Sequence, residues 1–197
     1  MILSNCMIFD GNILKEGQYN IYLEKDRIFD IKKYTYITDS IDIKGCIAVP
    51  GYIDIHTHGI HGMDFSYSSG IDDKRFFDSY VKSGTTSVFP TTVSMDINQL
   101  KSLLSKYIKV KHPAFCGIHL EGPFLNQNRA GAHNKEYIIP PSLESYLKIS
   151  EGYEKIISRI TIACELDEGY KLAEYLLRNK KIVSFGHTEC SSLHAYE

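Results

Sequence analysis

The sequence predicts an α/β fold: a small antiparallel β layer over residues 1–49, then strands alternating with amphipathic helices around a parallel sheet over 50–197. Three observations lead there. Before Pro50, short β-branched and aromatic runs are broken by turn signals; after it, short apolar runs alternate with helical periodicity; and the chemistry-bearing side chains fall where the apolar runs end. With 197 residues, 43% of them hydrophobic, the chain is long enough for one substantial core.

In the amino-terminal layer, Met7-Ile8-Phe9 is closed by the turn pair Asp10-Gly11, and Tyr19-Asn20-Ile21-Tyr22-Leu23 is closed by Lys25-Asp26. The run from Ile47 to Ile55 then reads as a buried strand leading into His56-Thr57-His58. Strands are predicted at 52–56, 87–90, 115–120, 159–164 and 182–186, with helices at 72–83, 96–110, 141–149 and 167–179. Asp96 is the expected N-cap of the second helix, and Pro141 the first-turn proline of the third. Ile97, Leu100, Leu103, Leu104 and Ile108 recur at helical spacing and form a core-facing stripe. Another helix starts near Ser191. A complete (β/α)₈ barrel takes roughly 200 to 400 residues. Residues 50–197 therefore read as an incomplete TIM-type barrel of about five βα units.

Composition excludes several roles. The formal net charge is −2, with both signs interspersed and no run of like charge, so neither nucleic acid nor an anionic membrane surface is expected as a partner. The first residues lack a basic n-region and a small-residue cleavage site, and no apolar run approaches the roughly 18 residues of a membrane helix. A cytoplasmic location is expected. The cysteines (Cys6, Cys46, Cys116, Cys164, Cys190) are scattered singly in or beside apolar runs, which reads as reduced, mostly buried thiols.

The side-chain period of a strand is two, so His56 and His58 share a face, and Thr57 takes the other. A lone strand histidine is usually a core residue satisfied by hydrogen bonds. Position tips the reading here: His56 and His58 end the first predicted strand, Glu121 the third and His187 the fifth, the end where parallel α/β enzymes place their chemistry. A Glu between Leu120 and Gly122-Pro123 is costly when buried unless it is paired or ligates a cation. His119 shares its face and reads as a substrate-facing group or one that orients a ligand. His112 and His194 read as exposed, without a role, and none is assigned to His61. Three histidines and a carboxylate suit Zn²⁺, Fe²⁺ or Mn²⁺. Cys190 is a competing ligand, but no second Cys stands at zinc-finger spacing, so a structural zinc is the weaker reading.

Five segments together resemble the N-acetylglucosamine-6-phosphate deacetylases, a family of the amidohydrolase superfamily: Pro50-Gly-Tyr-Ile-Asp-Ile-His-Thr-His-Gly59, Gly84-Thr-Thr-Ser-Val-Phe-Pro-Thr-Thr92, Gly117-Ile-His-Leu-Glu-Gly-Pro-Phe-Leu-Asn126, Arg129-Ala-Gly-Ala-His-Asn134 and Phe185-Gly-His-Thr188. The His-x-His marks only the superfamily; His-Leu-Glu-Gly-Pro-Phe followed by Gly-Ala-His is the more specific signature. The resemblance implies a metal-dependent (β/α)₈ barrel fused to a small β-sandwich, part of which is residues 1–49. It also implies hydrolysis of the acetamide of N-acetyl-D-glucosamine 6-phosphate to D-glucosamine 6-phosphate and acetate. Glu121 and His187 match family metal ligands, His56 and His58 the pair that holds a second ion in binuclear members, and Ala132 and His133 the loop that contacts the sugar. One or two divalent ions per site and a homodimer of the full-length protein follow from the same resemblance. A further metal-binding His, substrate-binding residues including an Arg and a His, and the Asp that serves as general acid and base are expected beyond residue 197, so no catalytic residue is assigned within this chain. Two alternatives stay open: a non-catalytic fragment that needs a complementary chain, and an amidohydrolase acting on another cyclic or acyl amide.

Overall fold

Turn residues set the first sheet. The computed structural model describes residues 1–67 and 73–196, apart from the side chains at 73, 194 and 196. Strands β1 (Ile2–Phe9), β2 (Leu14–Glu24) and β3 (Arg27–Lys33) form an antiparallel meander, with Asp10 Oδ1 accepting the backbone N–H groups of Asn12 and Ile13 to close its first turn. The short strands β4 (Ile41–Asp42) and β5 (Ile47–Ala48) then pair parallel with β1, so the layer is mixed rather than purely antiparallel. Sequence alternation cannot reveal this, because direction is set by the connection that carries the chain back. Cys6, Ile8 and Ile21 form the core of this unit, Met1–Gly51.

The second unit, Tyr52–Glu197, alternates strands and helices. Its elements are β6 (Tyr52–Thr57), a hairpin of β7 (Gly59–Ile60) and β8 (Met63–Asp64), α1 (Asp73–Lys82), β9 (Thr85–Pro90), α2 (Ile97–Tyr107), β10 (Ile118–Glu121), α3 (Leu143–Ser150), β11 (Ile157–Ile162), α4 (Gly169–Arg178), β12 (Ile182–Phe185) and α5 (Ser192–Tyr196). Strand β6 pairs parallel with β9, and β10, β11 and β12 pair parallel in that order. Parallel bridges Val88–Phe115 and Thr91–His119 join the two groups. Five parallel strands thus lie in sequence order, and their carboxyl ends emerge on one side. Buried Phe65, Phe76, Phe77, Leu100, Leu104, Tyr107, Ile118, Leu120, Ile160 and Leu172 belong to one continuous core.

Several boundaries differ from the sequence reading. The predicted helix start at residue 72 lies outside the described residues. Asp96 caps α2 as expected, its carboxylate accepting the N–H groups of Asn98 and Gln99. Helix α3 is capped by Ser142, so Pro141 precedes the helix instead of occupying its first turn. In α2 the core stripe ends on Tyr107, 1% exposed; Ile108 is the C-cap and 43% exposed, because the last turn presents Tyr107 instead to the core. The run 47–55 is not buried: Tyr52 is 71% and Ile53 65% exposed, since β6 is an edge strand that pairs with β9 alone among the described residues. Only Cys6 and Cys164 are buried cysteines; Cys46 and Cys116 are exposed and Cys190 intermediate, these three lying in segments that connect strands or helices. No described helix is long and apolar enough to cross a membrane.

Candidate metal centre

Strand β10 is buried at every position, and alternation puts His119 and Glu121 on the same face at its carboxyl end. Glu121 is 7% exposed, which an isolated carboxylate does not tolerate. Its two oxygens face different groups. Oε1 lies 3.1 Å from His187 Nε2, while Oε2 lies 3.1 Å from His58 Nε2, 3.4 Å from His56 Nε2 and 3.5 Å from His133 Nε2. The imidazoles of His56 and His58 converge as the strand period requires, with 3.2 Å between their Nε2 atoms. His56-His58-Glu121 and Glu121-His133-His187 are therefore two groups of metal-ligand type that share one carboxylate.

Fixed backbone partners assign the tautomers. His58 Nδ1 lies 3.1 Å from the carbonyl of Thr91, and His187 Nδ1 lies 2.8 Å from the carbonyl of Arg129. A carbonyl only accepts, so both Nδ1 atoms carry the hydrogen, and in the neutral rings both Nε2 atoms present a lone pair. His133 is the reverse. The backbone N–H of Ser94 donates to its Nδ1 at 3.0 Å, so its hydrogen is on Nε2. His58 and His187 thus aim lone pairs at a carboxylate about 3 Å away, whereas His133 aims an N–H.

Such a lone pair and carboxylate accommodate a cation between them, either a proton or a metal ion. Around a tetrahedral ion with ligand bonds near 2.1 Å, donor atoms stand about 3.4 Å apart, the scale of the separations seen here. Nitrogen and oxygen donors, one carboxylate and no thiolate fit a divalent ion such as Zn²⁺, Fe²⁺ or Mn²⁺. Burial alone would raise the Glu121 carboxyl, but the hydrogen bonds from His133 and His58 outweigh it and hold the group well below the usual carboxylate range. The His58 imidazole is raised, chiefly by its hydrogen bond to Glu121, while burial lowers that of His56. Protonated, His58 donates Nε2–H to Glu121; neutral, it presents there the lone pair that an ion would take.

Below this cluster His119 is 1% exposed, with Nε2 2.7 Å from Thr161 Oγ1 and Nδ1 3.4 Å from Thr91 Oγ1. Burial lowers it to about 3, with neighbouring His56 adding to the effect, so the ring is neutral and supports the ring of His56, 5.0 Å away. The loop between β10 and α3 carries Ala132 and His133 between two short turns, which Asn126 and Asn134 cap with their side chains. A cavity of about 430 Å³ opens here, lined by His58, Glu121, Ala132, His133 and His187. The backbone of His187 is left-handed, with φ of 50°, and its ring lies against Gly131, where an added Cβ would stand 3.2 Å from Cε1.

Sequence reasoning brought His56, His58, Glu121, His187, Ala132 and His133 to one place. It did not single out Thr91, Ser94 or Arg129, whose hold on His58, His133 and His187 includes backbone atoms that every residue type possesses, nor Asp64, Tyr67 and Asn134, which also line the cavity. Cys190 takes no part in the cluster; its thiol donates to the carbonyl of Ser191. His112 is not solvent-exposed: it stacks on Phe77 at 5.2 Å and lies 3.2 Å from Asp78, because Pro113 turns the chain back over α1. His61 sits in the β7–β8 turn, and the side chain of His194 lies outside the described residues.

No family model matches the chain. It is 32% identical over 154 residues to N-acetylglucosamine-6-phosphate deacetylase of Bacillus subtilis, covering 74% of this chain and 39% of that relative. Its fold is similar to that of the Mycobacterium smegmatis deacetylase solved in complex with N-acetyl-D-glucosamine-6-phosphate, with TM-score 0.87, 24% identity, and coverage of 97% of this chain and 50% of that one. The Pasteurella multocida N-acetylglucosamine-6-phosphate deacetylase aligns with TM-score 0.80 and 25% identity, over 99% of this chain and 52% of that one. The chain spans less than half the length of the curated relatives it matches.

Proposed function

We propose that this chain, whose sequence and fold match the amino-terminal part of the N-acetylglucosamine-6-phosphate deacetylases, supplies much of a divalent-metal site that serves hydrolysis of N-acetyl-D-glucosamine 6-phosphate to D-glucosamine 6-phosphate and acetate. One observation carries the reading: Glu121 is faced at 3.1 Å by Nε2 of His58 and Nε2 of His187, one on each carboxylate oxygen. Glu121 and His187 are the proposed ligands of one ion, and His56 and His58, which reach the other oxygen, those of a second. Zn²⁺, Fe²⁺ or Mn²⁺ suits them equally. The five parallel strands in sequence order are proposed as one side of a (β/α)₈ barrel, and residues 1–49 as part of a β-sandwich.

Within the site the residues divide the work. Thr91 and Arg129 hold His58 and His187 by their Nδ1 hydrogens, which fixes the rings and leaves Nε2 to ligate. Glu121 contributes the negative charge that a neutral imidazole lacks. A bound divalent ion polarises a carbonyl and lowers the pKa of water towards about 7, which is what hydrolysis of an unactivated amide needs. His133 and Ala132 lie on the cavity wall and are the proposed contacts to the sugar, with the Nε2–H of His133 facing Glu121 Oε2 at 3.5 Å in metal-free protein. Proton transfer is assigned to no residue of this chain; the resemblance gives it to an Asp beyond residue 197. A homodimer of the full-length protein and a cytoplasmic location complete the proposal.

The test is acetate release from N-acetyl-D-glucosamine 6-phosphate by the full-length protein supplied with Zn²⁺, Mn²⁺ or Fe²⁺. Turnover should appear with at least one ion, and Glu121→Gln should reduce it by at least about 100-fold with the far-UV circular dichroism unchanged. A folded, metal-supplied protein that releases no acetate overturns the reading.

A further inference from the structure

Strands β11 and β12 are parallel neighbours, with Ile162 opposite Phe185, so the segments that leave their carboxyl ends run side by side. One of those segments carries His187, two residues past β12, and the other carries Glu165, three residues past β11. Every group that faces the Glu165 carboxylate is a donor. Oε1 accepts Asn126 Nδ2 at 2.8 Å and the backbone N–H of Glu189 at 2.7 Å, and Oε2 accepts the hydroxyl of Thr188. The Thr188 hydroxyl accepts the N–H of Cys190 at 2.9 Å and donates its own hydrogen to the acceptor-only Glu165. Residues 188 and 189 and the β10–α3 loop are thereby tied to a single side chain. The same loop holds His187 from its other side: the N–H of Asn126 donates to the His187 carbonyl at 2.9 Å, and the carbonyl of Arg129 takes the His187 Nδ1 hydrogen.

His187 also needs holding. Its φ of 50° places a non-glycine residue in the left-handed region, where such a backbone persists only if its surroundings over-determine it. Only an acceptor-only group satisfies donors on both of its oxygens. A carboxylate does so as it stands, whereas the amide of Gln would set its NH₂ against Thr188, whose hydroxyl would have to turn and accept instead of donating. Burial raises the Glu165 carboxyl, but the bonds from Thr188, Asn126 and Glu189 outweigh it and lower the group, so the charge that accepts them is present at neutral pH.

We propose that Glu165 is a positioning residue for the metal site: by clamping Thr188, Glu189 and Asn126 it fixes the left-handed backbone of His187 and so the direction of the His187 Nε2 lone pair towards Glu121. This rests on the reading of His187 as a ligand. Glu165 touches neither the cluster nor the cavity wall, so its effect reaches the ion through the segments that hold His187.

The experiment is a titration of the metal-free full-length protein with Co²⁺, followed by its visible absorption, alongside thermal unfolding of each variant. Glu165→Gln and Thr188→Val should each weaken Co²⁺ binding, Glu165→Gln by about 10- to 100-fold, and should alter the Co²⁺ spectrum, as expected when a group that orients a ligand is lost. Ser142→Ala, which removes the α3 cap away from the cluster, should lower the unfolding temperature without moving the Co²⁺ affinity or spectrum. Should Glu165→Gln fail to fold, Thr188→Val decides alone. Unsubstituted affinity and spectrum in the folded variants overturn the role of Glu165 and leave the metal reading intact. Absence of Co²⁺ binding by the unsubstituted protein overturns both.

Discussion

The backbone N–H of Ser94 makes His133 a different residue from His187, although both imidazoles lie within reach of Glu121. A donor at Nδ1 forces the hydrogen onto Nε2, and a carbonyl at Nδ1 forces it off, so two rings 4.7 Å apart face the cavity with opposite character. Long-range ¹H–¹⁵N spectra of the metal-free protein above pH 8 should show His133 protonated on Nε2, and His58 and His187 on Nδ1. Finding His133 protonated on Nδ1 would remove it as a donor and return it to the pool of ligands. Correspondingly, His187→Ala should lower the number of ions bound, measured by elemental analysis, while His133→Ala leaves it unchanged. Sequence spacing made His56, His58, Glu121 and His187 legible, because strand period and strand ends are written in side chains. The Thr91 and Arg129 carbonyls and the Ser94 N–H were not legible, since a backbone group has no residue-type signature.

Elements end where local chemistry satisfies their free backbone groups, and α2 shows it best. Asp96 accepts Asn98 N–H at 2.8 Å and Gln99 N–H at 3.3 Å, so Asp96→Ala should destabilise the protein by about 1 kcal/mol in urea unfolding. An unchanged midpoint would mean that solvent replaces the cap without loss. The α2 cap was readable because Asp before an apolar repeat is a local signal. The α3 start was misplaced by local reasoning of the same kind: Pro141 suits a first turn, but Ser142, whose hydroxyl accepts Ser145 N–H at 3.3 Å, stops the chain one residue later. Strand β6 marks a different limit. Its apolar residues gave the strand but not its burial, because burial depends on what lies along its other edge.

At the scale of the whole chain, stability at high pH depends on a phenol packed between helices. Tyr146 on α3 is 2% exposed, its ring 6.1 Å from that of Tyr175 on α4, and burial pushes it up to about 12 from an ordinary 10.0. The folded protein therefore holds this proton through a window in which the unfolded chain has released it. The contribution is complete below pH 10 and is lost as pH rises towards 12, amounting to about 2 kcal/mol. Urea unfolding at pH 9 and pH 11.5 should show a smaller loss for Tyr146→Phe than for the unsubstituted protein; equal losses would exclude the phenol as the cause. The sequence by itself determined the α/β class, the order of strands and helices after Pro50, and the identity of the side chains that meet at Glu121, because periodicity, turn residues and strand ends are local properties of the chain. Only the tertiary structure decided the mixed direction of the first sheet, the exposure of β6, the opposite tautomers of His133 and His187, and the clamp that Glu165 forms. Each of these depends on contacts between residues far apart in sequence, which no local pattern encodes.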